Sequence, residues 1–170
     1  MKIRQGFVSN SSSSSFVVVF DRPELDIEYL KERLYNNAPS ISYEYNWGNE
    51  YQWFHTEQLC QAIIDEMKPI TTREQLIEAL EGMSHYDDSR FPDWPGWDED
   101  KEVQERQWSE YDAKMRQVRE QMADEFLSKI NEGEHIFVGT FSDNDGSMFT
   151  QLEHGGTFSA IPKKIRISHH

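Results

Sequence analysis

The order of hydrophobic and polar residues along the chain predicts a β-sheet combined with helices. Five apolar residues in a row, Phe16 to Phe20, are typical of a central strand that is buried on both faces. Residues 135–141 predict a second core strand. Residues 163–168, in which isoleucines alternate with basic residues, predict a third strand with one solvated face. Residues 41–47 alternate apolar and polar side chains and predict a further strand.

Apolar residues at spacings of three and four predict the helices. One such helix covers about residues 26–36. Thr56 begins a second helix, and Pro69 ends it because proline cannot continue a helix. Thr72 and Gln75 have the spacing of a capping box and begin a short third helix. We expect the second and third helices to be antiparallel neighbours.

A long, highly charged helix is predicted from Trp97 to about Asn131. It carries one narrow apolar stripe, which consists of Trp108, Tyr111, Met115, Val118, Met122 and Phe126. Such a stripe packs against a sheet or a helix pair within a domain, or forms the seam of a coiled-coil arm. Packing within the domain is favoured because the stripe covers only about three heptads.

These elements predict an α+β fold. We expect a single domain over residues 1–170, with a small, mostly antiparallel sheet of three or four strands and several helices, one of them long and charged. Two segments depart from the pattern. One is the polar, serine-rich segment 9–15, and the other is an irregular aromatic and acidic loop at 84–96.

Composition and charge narrow the function classes. Seventeen basic and thirty-one acidic residues give a formal charge of −14. This charge argues against direct binding to nucleic acid or an anionic membrane, since lysine and arginine supply most of that affinity. A protein partner with a basic surface is favoured instead. Cys60 is the only cysteine, so the sequence offers no intrachain disulfide and no thiolate zinc site, and we expect Cys60 to be buried on a helix. We expect a cytoplasmic protein, because no apolar run has the length of a signal or a membrane span.

The first residues of the chain carry a resemblance. They read Met-Lys-Ile-Arg-Gln-Gly-Phe-Val-Ser-Asn, continue with five serines, and close on Phe16 and a β-branched strand. This segment resembles the opening of a family of uncharacterised proteins from bacteria and bacteriophages. The resemblance implies a bacterial or bacteriophage origin and no particular chemistry. The serines themselves are candidate ligand-binding residues: Ser11, Ser12, Ser13, Ser14 and Ser15.

A turn rich in Asp and Asn residues, 142–147, is the candidate metal site. Asp143 and Asp145 lie two positions apart, and oxygen-rich turns of this kind suit Mg²⁺ or Ca²⁺. An EF-hand is excluded because no Glu stands at the twelfth position. His154 is a third candidate ligand, and His169 with His170 could extend the site, although an inert tail is favoured. The alternative for the turn is an ordinary hairpin connection, which its residue types also favour.

The position of this turn depends on strand pairing. If strands 16–20 and 135–141 are antiparallel neighbours, Asp143 and Asp145 lie near the serines. The resulting polar pocket could hold a cation, and the serine loop could form an anion-binding nest for a phosphate. If the strands are parallel, Asp21 joins the two aspartates and the serines lie at the far end of the sheet.

The loop at 84–96 suggests a different kind of site. Tryptophan and tyrosine dominate the energetics of protein interfaces, so an exposed loop here would form a recognition surface. Alternatively, the aromatic rings fold back onto the core, as large aromatics commonly do. The candidate partner surface consists of Tyr86, Asp87, Asp88, Phe91, Trp94 and Trp97.

Two functional hypotheses follow. The first is a non-enzymatic protein-binding module with an acidic surface that bears aromatic side chains. The second is a nucleotide- or metal-handling hydrolase or transferase, with a site formed by the serine-rich loop and the aspartate turn. We expect the first, because the sequence contains no nucleophile elbow and no glycine-rich phosphate loop.

Overall fold

A computed structural model describes residues 13–45, 50–98 and 100–169. The candidate residues Ser11 and Ser12, and also His170, lie outside the described residues. Within the described part of the chain, the strands are β1 (Ser13–Phe20), β2 (Ser40–Tyr45), β3 (Glu50–His55), β4 (Lys68–Ile70), β5 (His135–Ser142) and β6 (Lys164–His169). The helices are α1 (Ile27–Tyr35), α2 (Thr56–Glu66), α3 (Arg73–Ala79), α4 (Lys101–Leu127) and α5 (Ser147–His154).

The main sheet has the strand order β4-β5-β1-β6, and all its pairs are antiparallel. β1 is central, as its unbroken apolar run predicts. Ser13 lies opposite Ser142 of β5 and opposite His169 of β6. The antiparallel alternative is therefore confirmed. The turn that follows β5 lies at the same end of the sheet as the serines, and Asp21 lies at the other end.

Alternating side chains of β1 form two cores, one on each face of the sheet. Phe16, Val18 and Phe20 pack with α1, α2 and α5 on one face, in the first core. Val17 and Val19 pack with α3 and α4 on the other face, in the second core. Because both sets of β1 side chains are buried, β1 contributes to both cores, at about 1.5–3 kcal/mol for each fully buried large apolar side chain. The result is the predicted α+β fold with helices on both faces of a four-stranded sheet.

One local expectation is wrong. Helices α2 and α3 are not antiparallel neighbours, because α2 packs in the first core and α3 in the second. The strand β4, which joins the sheet at its edge, lies between them in sequence. The predicted strand at 41–47 is present as β2 over its described residues, and it pairs with β3, which was not predicted, in a separate two-stranded sheet.

The capping box predicted at the start of α3 is confirmed. The Thr72 hydroxyl accepts from the Gln75 backbone N–H, and the Gln75 side chain accepts from the Thr72 backbone N–H. The long helix α4 begins at Lys101 rather than at the predicted Trp97, because Asp100 caps it by accepting from the N–H groups of Glu102 and Val103. Within the described ranges, no helix is both long and apolar enough to cross a membrane.

Candidate functional site

The start of β1 places its serines on opposite faces of the sheet. Ser14 shares a face with Phe16 and is completely buried, whereas Ser15 lies on the other face. The Ser14 hydroxyl donates to Glu153 Oε1 of α5 at 3.4 Å. It also accepts from Arg166 Nη2 of β6 at 3.2 Å. The hydroxyl therefore links a guanidinium group to a carboxylate inside the protein.

Ser15 takes part in a separate set of contacts. Its hydroxyl is 2.7 Å from the Thr140 hydroxyl and 2.8 Å from His169 Nε2. His169 is thus held against the face opposite Ser14. Ser13, Ser14 and Ser15 are strand residues paired with β5 and β6, so their backbone N–H groups belong to the ladder. The expectation of an anion-binding nest is therefore wrong for these three serines.

Glu153 is the unusual residue of this region. It lies on α5, and its side chain is 0% exposed. A carboxylate removed from water is costly unless hydrogen bonds or a nearby cation compensate it. Oε1 accepts a hydrogen bond from the Ser14 hydroxyl, whereas Oε2 has no hydrogen-bond donor among the described residues. His154 Nε2 lies 3.4 Å from Oε2 and can carry a positive charge, and the Arg166 guanidinium lies on the other side of the Ser14 hydroxyl.

Asp143 completes a group of three potential ligands with Glu153 and His154. One donor atom from each residue lies within 4.8 Å of the donor atoms of the other two. Asp143 is in a single 3₁₀ turn after β5, and Gly146 then caps the start of α5 at a φ of 110°, which favours glycine. This turn and α5 together position the three residues, which we call the carboxylate–imidazole cluster.

The structure thus brings together two of the three residues predicted for a metal site. Asp143 and His154 belong to the cluster, whereas Asp145 is exposed and does not. Glu153 was missed by the sequence reasoning. The sequence carried no signal for it, because the burial of Glu153, like that of Thr150 and Gln151 on the same helix, depends on packing that the sequence does not display.

The loop before α4 exposes tryptophans. Trp97 is 88% exposed and Trp94 is 64% exposed. The Trp94 and Trp108 rings are nearly perpendicular, at 5.8 Å between ring centroids, and Tyr111 packs against both. An open groove of about 580 Å³ runs beside Trp97 and Trp108. Its other lining residues are Asp98, Lys101, Gln104, Glu105, Ser109 and Asp112. We call Trp94, Trp97 and Trp108, with this groove, the aromatic surface.

The remaining residues of the predicted partner surface have other positions. Phe91 is only 3% exposed and packs in the second core, so its assignment to an exposed surface is wrong. Asp87 accepts from the Ser168 backbone N–H at 3.0 Å and fixes the loop to β6. Asp88 pairs with Arg90 at 2.9 Å. Tyr86 is exposed and lies against the His85 ring.

Arg90 connects this loop to α4. Its guanidinium donates to both Asp88 and Glu125, each at 2.9 Å. Hydrogen bonds from the Arg90 side chain and backbone lower the pKa of Asp88 below its ordinary value. Loop residues 87–91 are thereby anchored, whereas the rings of Trp94 and Trp97 project into solvent.

Cys60 is buried on α2, as predicted. Burial raises the pKa of its thiol to about 12, so the reactive thiolate is scarce at neutral pH. Cys60 therefore has the properties of a core residue rather than those of a nucleophile.

No protein-family model matches this chain, and no curated protein or solved structure shows a significant match to it. The class that the structure itself defines is an α+β protein with a four-stranded antiparallel sheet, a separate two-stranded sheet and one long helix. Function is therefore argued from the aromatic surface and the carboxylate–imidazole cluster.

Proposed function

We propose that this protein is a non-enzymatic protein-binding module that captures a basic segment of a partner protein on the aromatic surface. The exposure of Trp97 carries the proposal, together with that of Trp94 beside it. Large indole rings left in water are unfavourable for the free protein, and tryptophan is enriched among the residues that dominate binding energy.

The charge around the groove argues for a basic partner. Asp98, Glu105 and Asp112 line it together with a single basic residue, Lys101. Lys101 lies 3.7 Å from Glu105, so part of one carboxylate charge is already balanced. The excess of carboxylates complements lysine or arginine side chains, and a cation above an indole face gains further attraction. The formal charge of −14 attracts such a partner over longer distances.

The position of the surface on α4 also supports this proposal. None of the residues from Lys101 to Lys114 is buried, and Met115 is the first residue of the helix that is. These fourteen residues are about 21 Å long at the rise of an α-helix. This half of α4 gives the tryptophans a rigid support without contributing a buried side chain to either core.

Defined peptides test the proposal. We expect tryptophan fluorescence to report saturable binding of peptides that combine arginine or lysine with an apolar residue. Peptides with glutamate at the basic positions should not bind. The affinity should fall as salt is added, since exposed charges are screened. Trp97→Ala should weaken binding at least about tenfold, as expected for a residue that dominates an interface.

Trp53→Ala is the matched control. Trp53 is 70% exposed, but it lies on β3 in the separate two-stranded sheet and does not line the groove. We expect this variant to bind the basic peptides as the wild type does. Failure of every basic peptide to bind, or an equal loss in both variants, would contradict the proposal.

A further inference from the structure

We propose that Asp143, Glu153 and His154 bind one divalent transition-metal ion of the Zn²⁺ or Mn²⁺ class. This inference is independent of the aromatic surface. The cluster lies at the end of the sheet where β1 begins, on the face covered by α5. It would be a second site with its own chemistry.

The buried carboxylate is the first argument. The Glu153 side chain is fully buried, and its Oε2 atom has no hydrogen-bond donor among the described residues. A buried carboxylate oxygen without a donor is rare, because most buried polar atoms find a partner. This oxygen lies 3.4 Å from His154 Nε2, and a metal ion bound between them would supply the compensating charge.

The distances are the second argument. Zinc binds carboxylate oxygen and imidazole nitrogen at about 2.0–2.2 Å, and tetrahedral angles then place neighbouring ligand atoms about 3.4 Å apart. Glu153 Oε2 and His154 Nε2 are separated by 3.4 Å. All three donor atoms lie within 4.8 Å of one another. Asp143 therefore lies within reach of a third ligand position.

The donor types select the class of metal. Mg²⁺ and Ca²⁺ prefer sites made only of oxygen ligands, whereas an imidazole with carboxylates suits Zn²⁺ and related transition metals. Three protein ligands also leave a coordination position for water. The turn sequence favours Mg²⁺ or Ca²⁺, but the inclusion of His154 changes this preference.

A supporting set of hydrogen bonds orients the central ligand. Ser14 donates to Glu153 Oε1 and thereby leaves Oε2 directed to the cluster. Arg166 in turn donates to Ser14. Residues that hold a ligand in this way commonly change metal affinity by ten- to a hundred-fold when they are removed. Ser14 is therefore a positioning residue for the site.

Isothermal titration calorimetry of the metal-stripped chain tests the proposal. We expect saturable binding of one Zn²⁺ or Mn²⁺ per chain, with Mg²⁺ and Ca²⁺ at least about tenfold weaker. Asp143→Asn and His154→Ala should each lower the affinity at least about tenfold. Both replacements are at partly or fully exposed positions, so we expect these variants to fold. Glu153→Gln should abolish binding, with circular dichroism to verify that it folds.

Two control variants test whether residues outside the cluster bind the metal instead. Asp145→Asn removes a carboxylate from the same turn outside the cluster and should leave binding unchanged. The double variant His169→Ala, His170→Ala removes two consecutive histidines that are not part of the cluster. It should also retain binding, and its Co²⁺ complex should have the wild-type visible absorption spectrum.

Three results would overturn the proposal. The first is the absence of saturable binding of any transition metal, which would leave an ion pair between His154 and Glu153 as the account of the cluster. The second is wild-type affinity in Asp143→Asn and His154→Ala. The third is a loss of binding in the double histidine variant alone, which would assign the metal to that pair.

Discussion

The aromatic surface exposes large apolar rings to water, whereas the carboxylate–imidazole cluster removes a carboxylate from water. Trp97 is 88% exposed, and the Glu153 side chain is 0% exposed. Each arrangement is unfavourable for the protein alone, the first through apolar hydration and the second through desolvation of charge. In both regions, a residue in the solvent environment opposite to the one that its chemistry prefers indicates a candidate binding site.

The two regions also differ in how they are supported. The cluster lies on the sheet face whose core contains Phe16, Phe141 and Phe158, and these rings pack together with centroid distances from 4.9 to 6.1 Å. The aromatic surface is attached to the half of α4 that buries no residue. We therefore expect substitutions near the cluster to change stability, and those on the aromatic surface to change binding alone.

The largest expected effect is a difference in stability between variants of the two regions. Phe141→Ala removes a fully buried ring and should lower the free energy of unfolding by about 3–5 kcal/mol. Trp97→Ala removes an exposed ring and should change it by less than about 0.5 kcal/mol. Urea denaturation monitored by circular dichroism measures both. Comparable losses of unfolding free energy in the two variants would contradict the claim that only the cluster lies beside the core.

The second largest effect should be the increase in the free energy of unfolding when the metal binds. Zn²⁺ at a hundred times its dissociation constant should stabilise the wild type by about 2.7 kcal/mol, provided that it binds only the folded state. Thermal unfolding with and without Zn²⁺ measures this increase. Trp97→Ala should show the same increase, whereas His154→Ala should show at most about 1.4 kcal/mol at the same Zn²⁺ concentration, because its affinity is at least tenfold lower. An increase that disappears in Trp97→Ala would link the two sites and contradict their independence.

Loss of the buried hydroxyl should have a somewhat smaller effect. Ser14→Ala removes the donor to Glu153 and the acceptor for Arg166, and should lower the free energy of unfolding by about 1–3 kcal/mol. Ser13→Ala, at a half-buried position of the same strand, is the matched control. Denaturant titrations compare the two. An equal, small effect would show that the Ser14 contacts do not stabilise the fold.

The smallest effect concerns the anchor of the loop that precedes the aromatic surface. Because the pKa of Asp88 is lowered below its ordinary value of 3.8, its interaction with Arg90 stabilises the folded state above that value. This contribution is lost as the pH falls through the folded-state pKa. Both partners are partly exposed, so we expect less than about 1 kcal/mol.

Asp88→Asn tests this pH dependence. The variant should be slightly less stable than the wild type at neutral pH and should lose less stability between pH values of about 5 and 3. Denaturation at a series of pH values gives the comparison. An unchanged pH profile would show that Asp88 does not anchor the loop.

The elements that could be predicted are those that local pattern determines. The unbroken apolar run of β1 requires burial on both faces, and the capping box at Thr72 needs only neighbouring residues. The side of the sheet that a helix covers could not be predicted in this way. Apolar periodicity shows which face of α2 or α3 is buried, but the same pattern fits either side of the sheet.

Prediction of the sites was limited in the same way. The proximity of Asp143 to the serines followed once antiparallel pairing was assumed, and that pairing is confirmed. The burial of Glu153 depends on the packing of α5 over β1, which brings together residues 139 positions apart. Phe91 and Trp97 have similar aromatic side chains in neighbouring sequence, yet only the former is buried. Tertiary packing decides such differences.

The most direct test of the proposed function is to record the indole N–H signals of the five tryptophans by nuclear magnetic resonance during titration with a basic peptide. Signals are assigned by replacing each tryptophan in turn. We predict saturable shifts for Trp94, Trp97 and Trp108 and no shift for Trp53. A shift of Trp53 alone, or no shift of Trp97, would contradict binding at the aromatic surface.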